Sequence, residues 1–240
     1  YQTYDVTSFL KEENNTITVE VADGWYRGSC GAWGLKNQYG VDTKFILQLE
    51  VENEKGEMET FVSDSSWSWS NDGSIREADN KDGEVVDANL TPSYSNKAKE
   101  TDYPICPIAS NSLKVLKKEE FTPRKSKTPN GDSLFDFGQN IAGIIELDFT
   151  AKGGEELVIT CGELLDKDGN LTLKNIQCNS KKKTTPLQRI KYKAKKGRNK
   201  WSMSFSVFGF QYALVMGDIE LKENEIKAVA VYSDLERTGW

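Results

Sequence analysis

Apolar and polar residues alternate with period two along most of this 240-residue chain. Thr16-Ile17-Thr18-Val19-Glu20-Val21 alternates polar and apolar side chains, the pattern of a strand with one face against a core. Phe45, Leu47, Leu49 and Val51 alternate with Ile46, Gln48 and Glu50, and Ile145, Leu147 and Phe149 alternate with Glu146 and Asp148. The sharpest case is Trp201-Ser202-Met203-Ser204-Phe205-Ser206-Val207, where every second residue is large and apolar, predicting an unbroken strand. No window of similar length carries a helical stripe. The pattern therefore predicts an all-β protein of antiparallel strands with almost no helix.

Turn signals punctuate these strands at short intervals: Lys55-Gly56, Asp72-Gly73, Asp82-Gly83, Asn130-Gly131, Gly153-Gly154, Asp168-Gly169 and Lys196-Gly197. Glycine after Asp or Asn suits the left-handed positions of hairpin turns. Many short strands with regular turns imply sandwiches rather than one open sheet. A polar stretch from Ser110 to Gly131 holds Thr122-Pro123 and Thr128-Pro129, and a new run of strands begins at Phe135. Two antiparallel β-sandwich (jelly-roll-like) domains are expected, roughly 1–120 and 121–240. Tyr4-Asp5-Val6-Thr7 enters without a leading strand and Ser233 to Trp240 stops abruptly, as a piece of a longer chain would.

A net charge of −6, with Lys and Arg spread along the chain, argues against a dedicated nucleic-acid binder. Lys181, Lys182 and Lys183, followed by Arg189, Lys191, Lys193, Lys195 and Lys196, form the one basic cluster. Its later members alternate with Ile190, Tyr192 and Ala194, so it reads as the solvated face of a strand. No apolar run approaches the ~20 residues that cross a bilayer, so no membrane partner is expected. There is no histidine, and Cys30, Cys106, Cys161 and Cys178 show no C-x-x-C spacing, which discounts a zinc site. Cys161 falls on the apolar face of a strand and reads as a core thiol.

Several segments resemble the α-L-rhamnosidases of bacteria, large multidomain glycoside hydrolases. Tyr1 to Thr7, Asp23-Gly24-Trp25-Tyr26-Arg27-Gly28 and Ala78-Asp79-Asn80-Lys81-Asp82-Gly83-Glu84 running into Asp87-Ala88 look like that family's N-terminal sugar-binding sandwich. Phe135-Asp136-Phe137-Gly138-Gln139-Asn140-Ile141-Ala142-Gly143, Gly162-Glu163-Leu164-Leu165-Asp166, Phe208-Gly209-Phe210-Gln211-Tyr212 and Ser233 to Gly239 resemble the sandwich placed before the catalytic barrel. These matches occur in order and cover nearly the whole chain. The chain departs from the family at Phe208, where a His is usual, and at Gln211, where an Arg is usual. The family's first sandwich also begins several strands before the segment at Tyr1, so the first domain is expected to lack its opening strands.

Glycoside hydrolysis uses two carboxyl groups across the scissile bond. With 37 Asp and Glu residues, sequence selects no such pair. The resemblance implies that the catalytic carboxylates lie in an α/α barrel of the same polypeptide beyond Trp240, so no catalytic residue is expected here. It also implies a calcium ion bridging protein oxygens and rhamnose hydroxyls, with Asp79 and Asn80 matching the metal-ligand pair and Asp82 and Glu84 near enough to assist. Calcium takes six to eight oxygen ligands, and vicinal hydroxyls can supply two. An ordinary polar turn is the alternative for this loop. Trp25 and Trp69 are candidates for a flat wall against a pyranose ring, with Tyr26 also available, whereas Trp67 reads as core. Asp166-Lys167-Asp168-Gly169-Asn170 reads as a hairpin turn rather than a calcium loop, because its glycine falls too early and its twelfth position is Gln177.

The expected function is thus a non-catalytic accessory region binding rhamnose-containing glycans or glycosides. The alternative is a structural spacer that supports the barrel and binds nothing. A self-contained hydrolase ranks last.

Overall fold

The computed structural model describes the chain apart from residues 32–33, 105, 112, 180–182, 237 and 240. The protein is all-β. Among the described residues one α-helical turn spans Gly24–Arg27, and short 3-10 turns cover Thr7–Phe9 and Glu223–Glu225. Among the described residues no helix is long and apolar enough to cross a membrane.

Ten strands form the main sheet: β1 (Ile75–Asp79), β2 (Gly83–Asp87), β3 (Val115–Phe121), β4 (Arg124–Lys127), β5 (Ser133–Ala151), β6 (Glu156–Gly162), β7 (Arg189–Lys193), β8 (Gly197–Ser202), β9 (Phe208–Gly217) and β10 (Ile226–Ser233). Their order is β1-β2-β7-β6-β9-β5-β10-β3, with β4 and β8 pairing separately to β5. All the pairings are antiparallel except that of β2 with β7, which is parallel. The 19-residue β5 curls the sheet. Its first part pairs with β4 and β9, its second part with β10 and β8. Gly143 lies where the partners change, and a Cβ there would stand 2.6 Å from the Val229 carbonyl oxygen.

Alternation along β5, β6 and β9 sends Phe135, Ile145, Leu157, Ile159 and Phe210 into one core. Phe137 and Phe210 meet edge to face with centroids 5.6 Å apart, and Phe149 and Tyr192 do so at 5.9 Å. Cys161 is fully buried, and burial pushes its thiol pKa far up, as a core thiol requires. The basic stretch behaves as its alternation predicts along β7, with Ile190 and Tyr192 buried and Lys191 and Lys193 exposed. Lys181 and Lys182 lie outside the described residues.

Two sequence expectations need correction. Thr16–Val21 forms no strand: it has no ladder partner and is mostly exposed. The run Trp201–Val207 stops being a strand after Ser202. The Glu84 side chain takes the backbone N–H groups of Ser204, Phe205 and Ser206, at 3.0, 2.8 and 3.1 Å, so this backbone finds a carboxylate in place of a neighbouring strand.

Before Ser110 the described residues bury little beyond Gly28, Ser29, Gly34 and parts of β1 and β2. Other paired segments there are small ribbons, Gln48–Glu52 with Met58–Val62 and Ser68–Trp69 with Asn96–Lys97. The β1–β2 hairpin belongs to the first half by sequence, yet it extends the sheet of the second half through β7. Val86 of β2 enters the same core as Phe135 and Phe210.

Candidate functional site

The turn Asp79-Asn80-Lys81-Asp82 joins β1 to β2 and is held by acceptors at each carboxylate. Asp79, 7% exposed, accepts the Ser29 N–H at 2.6 Å on Oδ2, and the N–H groups of Lys81 and Asp82 at 3.0 Å each on Oδ1. Its main-chain oxygen accepts from Ser206 Oγ at 2.7 Å. Burial opposes ionisation of Asp79, but donation from Asp82, Lys81 and Ser29 outweighs it and holds the carboxyl below the usual range.

Asp82 gathers groups from distant segments. Oδ2 accepts from Ser29 Oγ at 2.8 Å and from the Lys183 ammonium at 2.5 Å, while Oδ1 accepts from Thr185 Oγ1 at 2.7 Å and the Leu187 N–H at 3.2 Å. Lys183 also donates to Ser29 Oγ at 2.6 Å. Burial again disfavours the charge, and donation from Lys183, Thr185 and Ser29 overrides it, so this carboxyl too is lowered. Glu84 is fully buried on the core face of β2. Burial raises its carboxyl pKa despite the three N–H donors, and Oε2 has no partner among the described residues.

The structure brings Trp25 to Asn80. With its amide oriented to satisfy both neighbours, Asn80 accepts from Trp25 Nε1 at 2.9 Å and donates to the Phe205 carbonyl at 3.2 Å. The Trp25 ring is 56% exposed, a platform fixed at its polar edge. Trp69 is not part of this group: it lies on the Ser68–Trp69 ribbon, where its indole donates to the Lys97 carbonyl at 3.1 Å. Trp67 packs on Phe45 with centroids 5.3 Å apart, and Tyr26 fills the space over Gly40.

As the loop is folded, its donor set does not fit a calcium ion. Calcium needs six to eight oxygens with lone pairs aimed at one point. Each carboxylate oxygen of Asp79 and Asp82 instead receives N–H or O–H donors, the Asn80 amide oxygen takes an indole N–H, and the Lys183 ammonium supplies positive charge at Asp82. Among the described residues no cluster of three or more Asp, Glu, Cys or His groups is placed to hold a metal.

Beside the loop lies an open cleft of about 680 Å³, bordered by Asp23, Gly34, Leu35 and Lys36 on one side and floored by β1, β2 and β7. Register shows what the floor presents. Glu77 stands opposite Val85, and Val85 opposite Lys191; Asp79 stands opposite Gly83, and Gly83 opposite Arg189. Opposed residues share a face of the sheet. Gly83 has φ +111°, and a Cβ there would lie 1.9 Å from the Arg189 carbonyl oxygen, so the close approach of β2 and β7 demands glycine. Arg189 Nε is buried without an acceptor among the described residues.

Of the residues singled out from sequence, Asp79, Asn80, Asp82, Glu84 and Trp25, drawn from two stretches of resemblance, lie together here. Sequence reasoning missed Ser29, Lys183, Thr185 and Arg189 as members of the group, because no local pattern links residues 50 to 154 positions apart.

The family model described as the alpha-L-rhamnosidase N-terminal domain matches residues 1–128, and that described as the bacterial alpha-L-rhamnosidase concanavalin-like domain matches residues 126–232. An alpha-L-rhamnosidase from Formosa agariphila is 32% identical over 99% of this chain and 27% of its own length. The crystal structure of the Aspergillus terreus alpha-L-rhamnosidase matches with TM-score 0.78 and 26% identity, over 90% of this chain and 26% of that one. That of the Streptomyces avermitilis alpha-L-rhamnosidase complexed with L-rhamnose shares the fold, with TM-score 0.78 and 24% identity over 89% of this chain and 21% of that one. The chain spans about a quarter of the length of these relatives. With one of the family's domain models covering more than half of it and similarity running almost end to end, the chain belongs to the α-L-rhamnosidase family.

Proposed function

We propose that this chain is a non-catalytic accessory region of an α-L-rhamnosidase and that it binds L-rhamnosyl groups, working beside a catalytic domain of the same polypeptide. One observation carries the non-catalytic part: of the carboxylates lining the cleft, Asp79, Asp82 and Glu84 are committed to the fold and Asp23 is paired with Arg27, which leaves Glu77 without a second carboxyl to work with. Asp79 and Asp82 are held ionised by converging donors, which removes them as general acids, and Glu84 is sealed on the core face. The binding part is supported by the cleft and by the fixed, exposed Trp25 ring next to it.

The test pairs two assays on the 240-residue chain. An aryl α-L-rhamnoside should not be cleaved, and L-rhamnose should bind. Turnover that survives controls for contaminating enzyme would overturn the first half, and a flat rhamnose titration the second. The spacer reading has its own supporting observation: Asp79, Asp82 and Glu84 all fasten the β1–β2 hairpin to segments of the second half. A flat titration with a normally folded chain would leave the spacer reading in place.

A further inference from the structure

We infer that the cleft binds a neutral sugar directly, through Glu77, Lys191 and Arg189, with no metal ion. The inference deepens the rhamnosyl-binding reading and rests on it, but it assigns the contact to the sheet floor rather than to a cation at Asp79 and Asn80.

The floor is built from two parallel rows, each with an acid at one end and a base at the other. Glu77 and Lys191 flank Val85; Asp79 and Arg189 flank Gly83. The acid and base of a row stand two strands apart, about 10 Å, since adjacent strands lie about 4.8 Å from each other. A pyranose ring with its hydroxyls fits that span. Acceptors meet it on the β1 side, donors on the β7 side, and the low apolar floor of Val85 and Gly83 lies beneath the C–H groups. A Cβ in the second row would run into the Arg189 backbone, so that row stays as low as glycine leaves it.

The availability of these groups separates them from the loop carboxylates. Glu77 is exposed, and neither it nor Lys191 enters an ion pair among the described residues. Arg189 Nε is buried with no acceptor among those residues. The Arg189 side chain also lines the cleft, where its guanidinium can donate to a sugar hydroxyl that donates in turn to Glu77.

Charge decides the ligand class. Asp23 is paired with Arg27 at 2.9 Å and Asp82 with Lys183 at 2.5 Å, so these four cancel. Each floor row carries one acid and one base. Lys36 is exposed on the rim, and Glu84 faces the core. A balanced floor offers donors and acceptors without a net field, which suits vicinal hydroxyls better than a carboxylate or sulfate. The Lys183 ammonium already neutralises Asp82, so the site has its own cation.

Calorimetric titration of L-rhamnose into the 240-residue chain tests this, with calcium and with a chelator. The expected dissociation constant is the same in both. Glu77→Gln and Arg189→Met should each weaken binding at least tenfold, with Arg189→Lys recovering part of the loss and D-glucuronate binding no tighter than rhamnose. Unchanged affinity in Glu77→Gln, loss of binding in chelator, or tighter binding of the acidic sugar would overturn the inference while leaving rhamnosyl binding itself intact. No rhamnose heat from the unaltered chain would instead remove the broader reading, and this inference with it. Glu77 is exposed on the edge strand β1, so its variant decides the matter should an Arg189 variant fail to fold.

Discussion

Glu84 and Phe205 stand 121 residues apart, and the Glu84 carboxylate accepts the Phe205 N–H at 2.8 Å. The same oxygen takes the N–H groups on either side, at Ser204 and Ser206, so one side chain of the first half shapes a loop of the second. Replacing it with alanine should orphan three buried or half-buried donors. Glu84→Ala should cost about 3 kcal/mol, the scale for hydrogen bonds to a charged group plus an unsatisfied remainder. Equilibrium unfolding in denaturant measures it.

The pH response of this cluster has two signs. Burial raises the Glu84 carboxyl in the fold, so its stabilising contribution is full below the unfolded value and is lost as pH rises through the raised one. Asp79 and Asp82 are lowered in the fold; their contribution is present above the ordinary aspartate range and disappears as pH falls through the lowered values. Unfolding free energy should therefore decline on the acid side of that range, and decline again above the usual glutamate range. Glu84→Gln should remove the second decline and leave the first. Denaturant midpoints across the pH range check both limbs.

Lys183 should matter to stability where calcium does not. Removing its ammonium leaves Asp82 without its cation in a largely buried setting, and Lys183→Met should cost about 2 kcal/mol, in the range for charged hydrogen bonds. The melting temperature of the unaltered chain should be the same with calcium and with chelator. A calcium-dependent rise would show that the loop rearranges to take the ion.

Gly83→Ala should be among the most damaging small substitutions in the chain. The added methyl meets the Arg189 carbonyl oxygen at 1.9 Å and φ is +111°, so strain and steric overlap act together. The β2–β7 pairing should open, with a loss above about 3 kcal/mol, beyond the usual range for point changes. Hydrogen exchange at Ile190 and Tyr192 should accelerate before that of Ile145.

Core truncation gives a calibration. Phe210 is fully buried and edge-on to Phe137, and Phe210→Ala should cost about 3–5 kcal/mol. A smaller loss in the melt would mean that the pocket collapses around the missing ring.

Strand content was legible wherever a period-two run also found a partner. Ile145, Leu147 and Phe149 alternate in sequence and lie buried along β5 as predicted. Thr16–Val21 carries the same alternation without a neighbour to pair with, and alternation alone cannot supply one. Trp201–Val207 fails for a different reason: Glu84 offers its backbone a closer acceptor than any strand does. At the candidate site, Asp79, Asn80 and Trp25 were readable from a family resemblance, and they do meet. Arg189 was hidden inside a basic run whose alternation predicts a solvated face, because exposure depends on what β2 places across from it. Lys183 was hidden for a similar reason: only the fold carries it to Asp82.

The parallel pairing of β2 with β7 bears on where the chain can be divided. The two family models meet near residue 126, and a piece starting there would keep β7 but lose the hairpin that covers it. Its sheet would end on a bare strand, with the unpaired N–H and C=O groups of Arg189–Lys193 facing water. Such an edge recruits strands from other molecules. The shorter piece should self-associate more readily than the 240-residue chain, which would make the β1–β2 hairpin a cover for the second half's edge.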